Sequence, residues 1–514
     1  MLLDGDEHPA DANTLLDRRA AASPTAPFLV FEDDDGNITE ITYAEQVRRA
    51  TATAELLARL GVGVGDRVHL MTANCPQFLD VWFGCGRLGA VTVPVNPLST
   101  VAETAHQLRE SRAVLSVVAP TLRDTALAAG SVPVLTTVEL NERRQLPNSP
   151  TPHAARDGLA AIMFTSGTTS APKGVRVTHA NYVRVGAAIA GHLAMSNSDR
   201  WLVTLPLFHA NAQYYCLMSA LTVGGSVALT SRFSASRWPR QARTLRPTLA
   251  SLFAAPVRMV LARTKPDAAD AANELRLVLF AQNLAPAQVE EFESRFGALL
   301  VQLYGMTETV LPPFVNPPDS RRSWDSIGRP LPHLEIRLVD ADGRPVSPGT
   351  TGELHVRGNP GVDITDGYDG RPAETAALLP DGWLRTGDLV RMDDDGRAYF
   401  VDRAKDMVKR AGENVSATEV EQVIGTHPAV LEAAVHGVPD EVYDEAIVAH
   451  VVLKPGDETT PEELIAWCRR HLSTFKIPDQ VIVRAELPRT SVGKIRKDVL
   501  RAELALPHRT AGAS

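Results

Sequence analysis

Apolar positions recur at helical spacing through YAEQVRRATATAELLARLG (43–61), and the run ends on Gly61, so the pattern predicts a helix with a glycine stop. The runs that follow alternate in kind. RVHLMT and AVTVPVN have the length and β-branched content of strands, and CPQFLDVWFGCGRLG between them has a helical period. Strand, helix, strand without a hairpin turn is the grammar of a parallel sheet with helices on both faces. WLVTLP, GSVALT, TLASLF, LRLVLF and LLVQLYG continue it as short strands separated by helical stretches. The run LAAIM predicts another strand, and VRVTHANYVRVGAAIAGHL reads as a segment that becomes a helix. The polar, proline-containing stretch 141–158 reads as a linker.

After about residue 325 the pattern changes. LEIRLVDADGRPV and GELHVRG are β runs joined by Asp-Gly and Pro-Gly turns, and LVRMDDDGRAYFVDRAKD is a further hairpin. Asp393, Asp394 and Asp395 read as its solvated turn, closed by Gly396, and not as a metal cluster. From about residue 403 a compact unit follows, in the order helix, two strands, helix, strand, helix, and PHRTAGAS reads as a frayed tail.

Composition narrows the class. At 514 residues the chain exceeds one ordinary core, which implies at least two domains. Its 44% hydrophobic and 22% charged content is that of a globular protein. A formal net charge of −9 argues against nucleic acid or an anionic membrane as partner. Cys75, Cys85, Cys216 and Cys468 have no C-x-x-C spacing, which excludes a zinc ribbon and suggests free thiols. MLLDGDEHPADANTLL is acidic without an apolar signal core, and no apolar run approaches the roughly 18 residues of a membrane span. The expectation is a cytoplasmic protein with no membrane span.

Candidate chemistry lies in five stretches. FTSGTTSAPKG (164–174) has almost nothing to bury. Hydroxyls, glycines and one lysine at a strand end supply what phosphate oxygens need: donors, close approach and charge. Its spacing is not that of the ordinary P-loop. QLYGMTETV (302–310) presents Thr307, Glu308 and Thr309 beyond a strand end, the usual ligand crevice of an open α/β sheet, and Glu308 offers the carboxylate oxygens a hard cation takes. The others are GWLRTGDLV (382–390), VDRAKDMVKRAGENVSATEVE (401–421) and LPRTSVGKIRK (487–497).

In this order the five stretches resemble the adenylate-forming superfamily of acyl-CoA synthetases, peptide-synthetase adenylation domains and beetle luciferases, and the resemblance spans essentially the whole chain. LPLFHANAQ, LVLFAQNLAP and DEAIVAHVVLKPGD resemble the bacterial carnitine/crotonobetaine-type CoA ligases. The resemblance implies an α/β fold. Residues 1–402 would form a large N-terminal domain of two stacked αβα subdomains plus a small β-barrel, and 403–514 a mobile, smaller α+β C-terminal domain. It implies an ATP-dependent acid–thiol ligase using ATP, Mg²⁺ and CoA. A carboxylate attacks the α-phosphate with release of pyrophosphate, and a thiol then displaces AMP.

By the same resemblance Thr165, Ser166, Gly167, Thr168, Thr169 and Lys173 cradle the β- and γ-phosphates, Glu308 holds Mg²⁺ and Thr307 lies near the α-phosphate. Tyr304 stacks near adenine, while Asp388 and Arg403 take the ribose. Lys494 bridges carboxylate and phosphate, Lys405 is the hinge, and Gly412 lines the pantetheine tunnel. Phe208, His209, Gln213, Tyr214, Gln282, Asn283, Met306 and Val310 line the acyl pocket, with His209 as wall or gate. Their polarity favours a small polar or aromatic acid over a long fatty chain. The chain departs from its relatives at Ser170, at Ala281–Leu284 and at Asp444-Glu445, which weakens the transfer of adenine contacts. Alternative readings stay open: transfer to a carrier-protein pantetheine or an amine, activation of another oxyanion such as nitrite, or a silent nucleotide sensor.

Overall fold

A computed structural model describes residues 11–148, 153–165, 172–410, 413–440, 444–490 and 495–505. Two large sheets carry the N-terminal part. The first has six strands in the spatial order Val134–Thr136, Ala113–Val118, Arg67–Met71, Val91–Pro94, Leu159–Thr165, Lys173–Thr178. All its pairings are parallel except the last. The second has nine strands. Its parallel centre runs Leu299–Tyr304, Leu277–Ala281, Leu249–Phe253, Arg200–Val203, Ser226–Thr230, Pro27–Glu32. Antiparallel strands close both edges.

The apolar spacing of 43–61 becomes the helix Tyr43–Arg59, started by the Thr42 side chain on the Glu45 amide. CPQFLDVWFGCGRLG becomes Pro76–Leu88 and ends on left-handed Gly89. Phe78, Trp82 and Phe83 of that helix and Tyr182 of the helix His179–His192 join Leu70 and Met163 of one sheet to Leu229 and Val301 of the other in one continuous core. Burying such side chains is worth roughly 1.5–3 kcal/mol each, so the two sheets are bound tightly.

The segment expected to run into a helix after the hydroxyl-rich loop is first a strand. Lys173–Thr178 pairs antiparallel with Leu159–Thr165, Thr165 facing Lys173. Its alternating valines pack on the sheet, and only at Thr178, whose hydroxyl takes the Asn181 amide, does the helix start. The two strands that flank the loop are therefore the arms of a hairpin.

The β unit after residue 325 is a four-stranded antiparallel sheet in the order Glu335–Val339, Thr351–Arg357, Leu384–Met392, Ala398–Arg403; where a small barrel was expected, the described pairings form an open path. Asp393 accepts the Arg397 amide at 2.8 Å and so closes the hairpin, and no cluster of three metal-ligating side chains occurs among the described residues.

A separate core lies beyond residue 407. Strands Val430–Asp440 and Asp444–Leu453 carry alternate residues to opposite faces. Val435 and Val451 pack under the helices Ala417–Gly425 and Pro461–His471, while Ala434 and Val452 pack with Leu487, which precedes the last helix, and with Leu500 of that helix, Lys497–Ala505. No helix of the described chain is long and apolar enough to cross a membrane.

Candidate active site

Several parallel strands of the nine-stranded sheet deliver candidate residues at their carboxyl ends. Arg200–Val203 leads to Phe208 and His209, Leu277–Ala281 to Gln282 and Asn283, and Leu299–Tyr304 to Met306, Thr307, Glu308 and Val310. Neighbouring strands that end together open a crevice there. The hairpin mouth Thr165/Lys173 belongs to the other sheet and reaches the same place, because Lys173 Nζ lies 5.2 Å from the ring centre of Tyr368, whose hydroxyl donates to Glu308 Oε1 at 3.1 Å. Ser166, Gly167, Thr168, Thr169, Gly412 and Lys494 lie outside the described residues.

Glu308 is 6% exposed. The turn that carries it is tied down locally: the Thr309 hydroxyl takes the Met306 amide, and the Thr365 amide donates to the Glu308 carbonyl. Thr307 is half-buried, and its carbonyl accepts weakly from Tyr214 at 3.4 Å. Gly305 admits no side chain, since a Cβ there would lie 2.5 Å from the Tyr215 hydroxyl. Both tyrosines come from Asn211–Leu217, a π-helical turn. Such turns are rare and frequently mark functional sites.

Asp388, 3% exposed, sits on the strand Leu384–Met392 in register with Arg403. Arg403 Nε is 3.4 Å from one carboxylate oxygen, and the Tyr304 hydroxyl donates to the other at 2.5 Å. Burial and then the Asp388 charge push the Tyr304 phenol well above its usual range, so it stays a donor. The Tyr304 ring is stacked on Phe400 at 6.2 Å. Lys405, two residues past Arg403, is exposed.

The remaining pocket residues divide. Phe208 and His209 pack ring to ring at 4.2 Å, and Met306 is half-buried. Gln213 is fully buried and engages its amide inside the protein, accepting from Tyr182 at 2.5 Å and donating to the Leu207 carbonyl at 2.6 Å. Tyr214 and Val310 are fully buried as well, Val310 at φ +54°. Gln282 is exposed at φ +76°, a conformation that favours glycine. Two residues the sequence reading missed fix that loop. Gln302 donates to the Gln282 carbonyl and the Asn283 side chain, and Arg258 donates to the Asn283 carbonyl at 2.6 Å. Tyr368 was missed too. Only Gln302, inside the quoted QLYGMTETV stretch, had a local signal.

The family model described as AMP-binding enzyme matches residues 16–368, and that of the AMP-binding enzyme C-terminal domain matches 419–494. A crotonobetaine/carnitine–CoA ligase of Salmonella arizonae is 36% identical over 493 residues, covering 92% of this chain and 95% of its own. Among solved structures, ATP-bound MatB of Rhodopseudomonas palustris is similar at TM-score 0.85 and 27% identity, covering 96% of this chain and 99% of its own; its ligand-free form scores 0.75. The o-succinylbenzoate CoA synthetase of Bacillus subtilis with its acyl-adenylate is similar at 0.85 and 29% identity over 98% and 99%, and that enzyme has also been solved with ATP and a magnesium ion. Motifs, strand-end crevice and matches over the whole length agree: the chain belongs to the AMP-binding, adenylate-forming enzymes and is an AMP-forming acyl-CoA ligase of that family.

Proposed function

We propose that the protein activates a small polar or aromatic carboxylic acid as its acyl-adenylate and then passes the acyl group to CoA. The observation that carries this reading is the pair of buried carboxylates, Asp388 and Glu308, at two places in one strand-end crevice, with the Thr165/Lys173 hairpin mouth meeting the second through Tyr368.

A carboxylate is a poor acyl donor because oxide is a poor leaving group; AMP is a good one. In the first half-reaction a carboxylate oxygen attacks the α-phosphorus, the bond to the bridging oxygen breaks, and pyrophosphate leaves. Asp388, ionised and held between Arg403 and Tyr304, accepts the ribose hydroxyls. Thr165, Ser166, Gly167, Thr168, Thr169 and Lys173 receive the polyphosphate, and Thr307 faces the α-phosphate. Glu308 is an oxygen donor, the kind Mg²⁺ takes, and one carboxylate completed by substrate phosphates is a usual Mg²⁺ arrangement. Bound there, the ion would neutralise polyphosphate charge. Lys494 orients the acid and balances charge that grows in the transition state.

The chain flanking 491–494 is pinned by Arg489 on Glu432 and by Lys497 on Glu421 at 2.7 Å.

In the second half-reaction a thiolate attacks the acyl carbon and AMP leaves. The division at residues 402/403, with 403–514 turning about Lys405 as a mobile unit, lets Lys494 withdraw and brings Gly412 to the thiol path. Phe208, His209, Met306 and Val310 shape the acyl pocket. Because Gln213 is engaged internally, polar discrimination falls to His209, Gln282 and Asn283.

The test is pyrophosphate release from ATP over a panel of carboxylates, with and without CoA, products identified by mass. The reading predicts acyl-AMP without CoA and acyl-CoA plus AMP with it, for small polar or aromatic acids. Adenylation with no transfer to CoA would move the acceptor to a carrier protein or amine, and no turnover with any carboxylate would overturn the reading.

A further inference from the structure

Tyr368 belongs to none of the five motif stretches, yet it touches two of the charged residues they contribute. Its hydroxyl donates to Glu308 Oε1 at 3.1 Å, and Lys173 Nζ sits over its ring at 5.2 Å from the centre. An ammonium over an aromatic face within about 6 Å is attracted by the ring's quadrupole.

The segment around Tyr368 is built to keep it there. Tyr368 bridges Val175, the Arg176 amide donates to the Gly367 carbonyl at 3.0 Å, and the Asp369 amide donates to the Gly174 carbonyl at 2.8 Å. The segment is thus stitched to the strand that leaves the hydroxyl-rich loop. Arg176 pairs with Asp366 at 2.9 Å and with Asp369 at 3.3 Å, and Arg112 adds a contact to Asp369 at 3.2 Å. Gly367 lies at φ +128°, and a Cβ there would stand 2.3 Å from Thr375 Cγ2, so only glycine lets the chain present Tyr368 in this way.

We propose that Tyr368 is a positioning residue for the metal–phosphate end of the site: its hydroxyl fixes the Glu308 carboxylate for a divalent cation, and its ring fixes Lys173 for the polyphosphate. This rests on the function proposed above. A glutamate and a lysine are long and rotamer-rich, and each loses that freedom on gripping a ligand. A residue that orders both beforehand removes part of the cost. One side chain with two distinct faces also gives two opposite charges separate seats.

The test is calorimetric titration of ATP into wild type, Tyr368→Phe and Tyr368→Leu across a range of Mg²⁺ concentrations, with thermal melting of each protein. Tyr368→Phe keeps the ring and loses the hydroxyl. Its Mg²⁺ requirement for tight ATP binding should rise about tenfold, as expected for losing one oriented hydrogen bond to a charged group, while affinity at saturating Mg²⁺ stays within about twofold. Tyr368→Leu should also weaken ATP at saturating Mg²⁺ by a few-fold to about tenfold, because Lys173 loses its seat. An unchanged Mg²⁺ requirement in Tyr368→Phe overturns the proposal, whether or not the leucine variant folds. So does an equal loss of ATP affinity at every Mg²⁺ concentration accompanied by a lower melting point, the mark of a purely structural residue. Failure of wild type to bind ATP with Mg²⁺ would overturn the functional reading itself, and the proposal with it.

Discussion

Asp388 and Glu308 are 3% and 6% exposed, and each accepts a hydrogen bond from a tyrosine, Tyr304 at 2.5 Å and Tyr368 at 3.1 Å. Their supports differ. Asp388 stands on a regular strand, in register with Arg403 on the next one, so the ladder itself delivers acid and cation together. Glu308 stands on an irregular turn past a strand end, and its tyrosine comes from a loop sixty residues further on. The Asp388 end of the crevice is made by a sheet; the Glu308 end is made by loops tied to one another. A hydroxyl pair of fixed geometry suits the first. A highly charged polyphosphate and its cation would suit the second, where Tyr368 holds Glu308 and Lys173 in place.

The comparison breaks most visibly at Glu308. Glu308→Gln keeps the shape and removes the charge, and pyrophosphate formation should fall about 10²–10³-fold, roughly 3–4 kcal/mol, the usual cost of one strong transition-state contact. Transfer to CoA from supplied acyl-AMP should stay within a few-fold; equal loss in both half-reactions would deny that the two ends have separate duties. Asp388→Asn should be milder, about a tenfold weaker ATP affinity, a charge-assisted hydrogen bond being worth about 1.5–3 kcal/mol. It should also erase any preference for ATP over 2′-deoxy-ATP in competition binding, which Glu308→Gln should leave intact.

A third prediction concerns the C-terminal unit, whose interior is also polar. His436 and His450 are fully buried and meet Nε2 to Nε2 at 3.0 Å, with Arg484 donating to His450 Nδ1 at 2.8 Å and His436 Nδ1 on the Gly437 carbonyl at 3.1 Å. The chain of bonds is satisfied with both rings neutral, and burial holds His450 down at about 4. The unfolded ring takes a proton near 6.5, so between these values the unfolded state binds more protons. Stability is full above about pH 6.5 and is lost as pH falls toward 4, with a slope of at most about 1.4 kcal/mol per pH unit for this histidine. Denaturant melts from pH 7 to 4.5 should show that slope, and His450→Gln should flatten it. The smallest effect is expected at Gln282→Gly, which relieves the φ +76° backbone by about 1 kcal/mol while removing a crevice side chain. A higher melting point with altered discrimination among acids would place Gln282 at the substrate, and unaltered discrimination would remove it from the pocket.

The same contrast explains what the sequence disclosed. The meeting of Asp388 and Arg403 was legible because they lie in two recognisable stretches that pair as a hairpin. The alternation of strands and helices was legible because each element is amphipathic in its own period. Lys173–Thr178 was not, because its valines run without a break into the helix at His179, and only pairing with Leu159–Thr165 makes it a strand. Gln213 read as a pocket residue because a polar side chain among aromatics suggests a ligand; its amide partners, Tyr182 and Leu207, come from packing that no local pattern encodes. Tyr368 carried no signal at all, since its meaning is a meeting in space of residues 173, 308 and 368.

The central claim is that a carboxylate oxygen attacks the α-phosphorus of ATP in this crevice. An acid identified by the panel, labelled with ¹⁸O in its carboxylate, tests it in one turnover with ATP, Mg²⁺ and CoA. The account predicts one labelled oxygen in AMP and none in pyrophosphate. Label in pyrophosphate or inorganic phosphate, or in neither product, would contradict it.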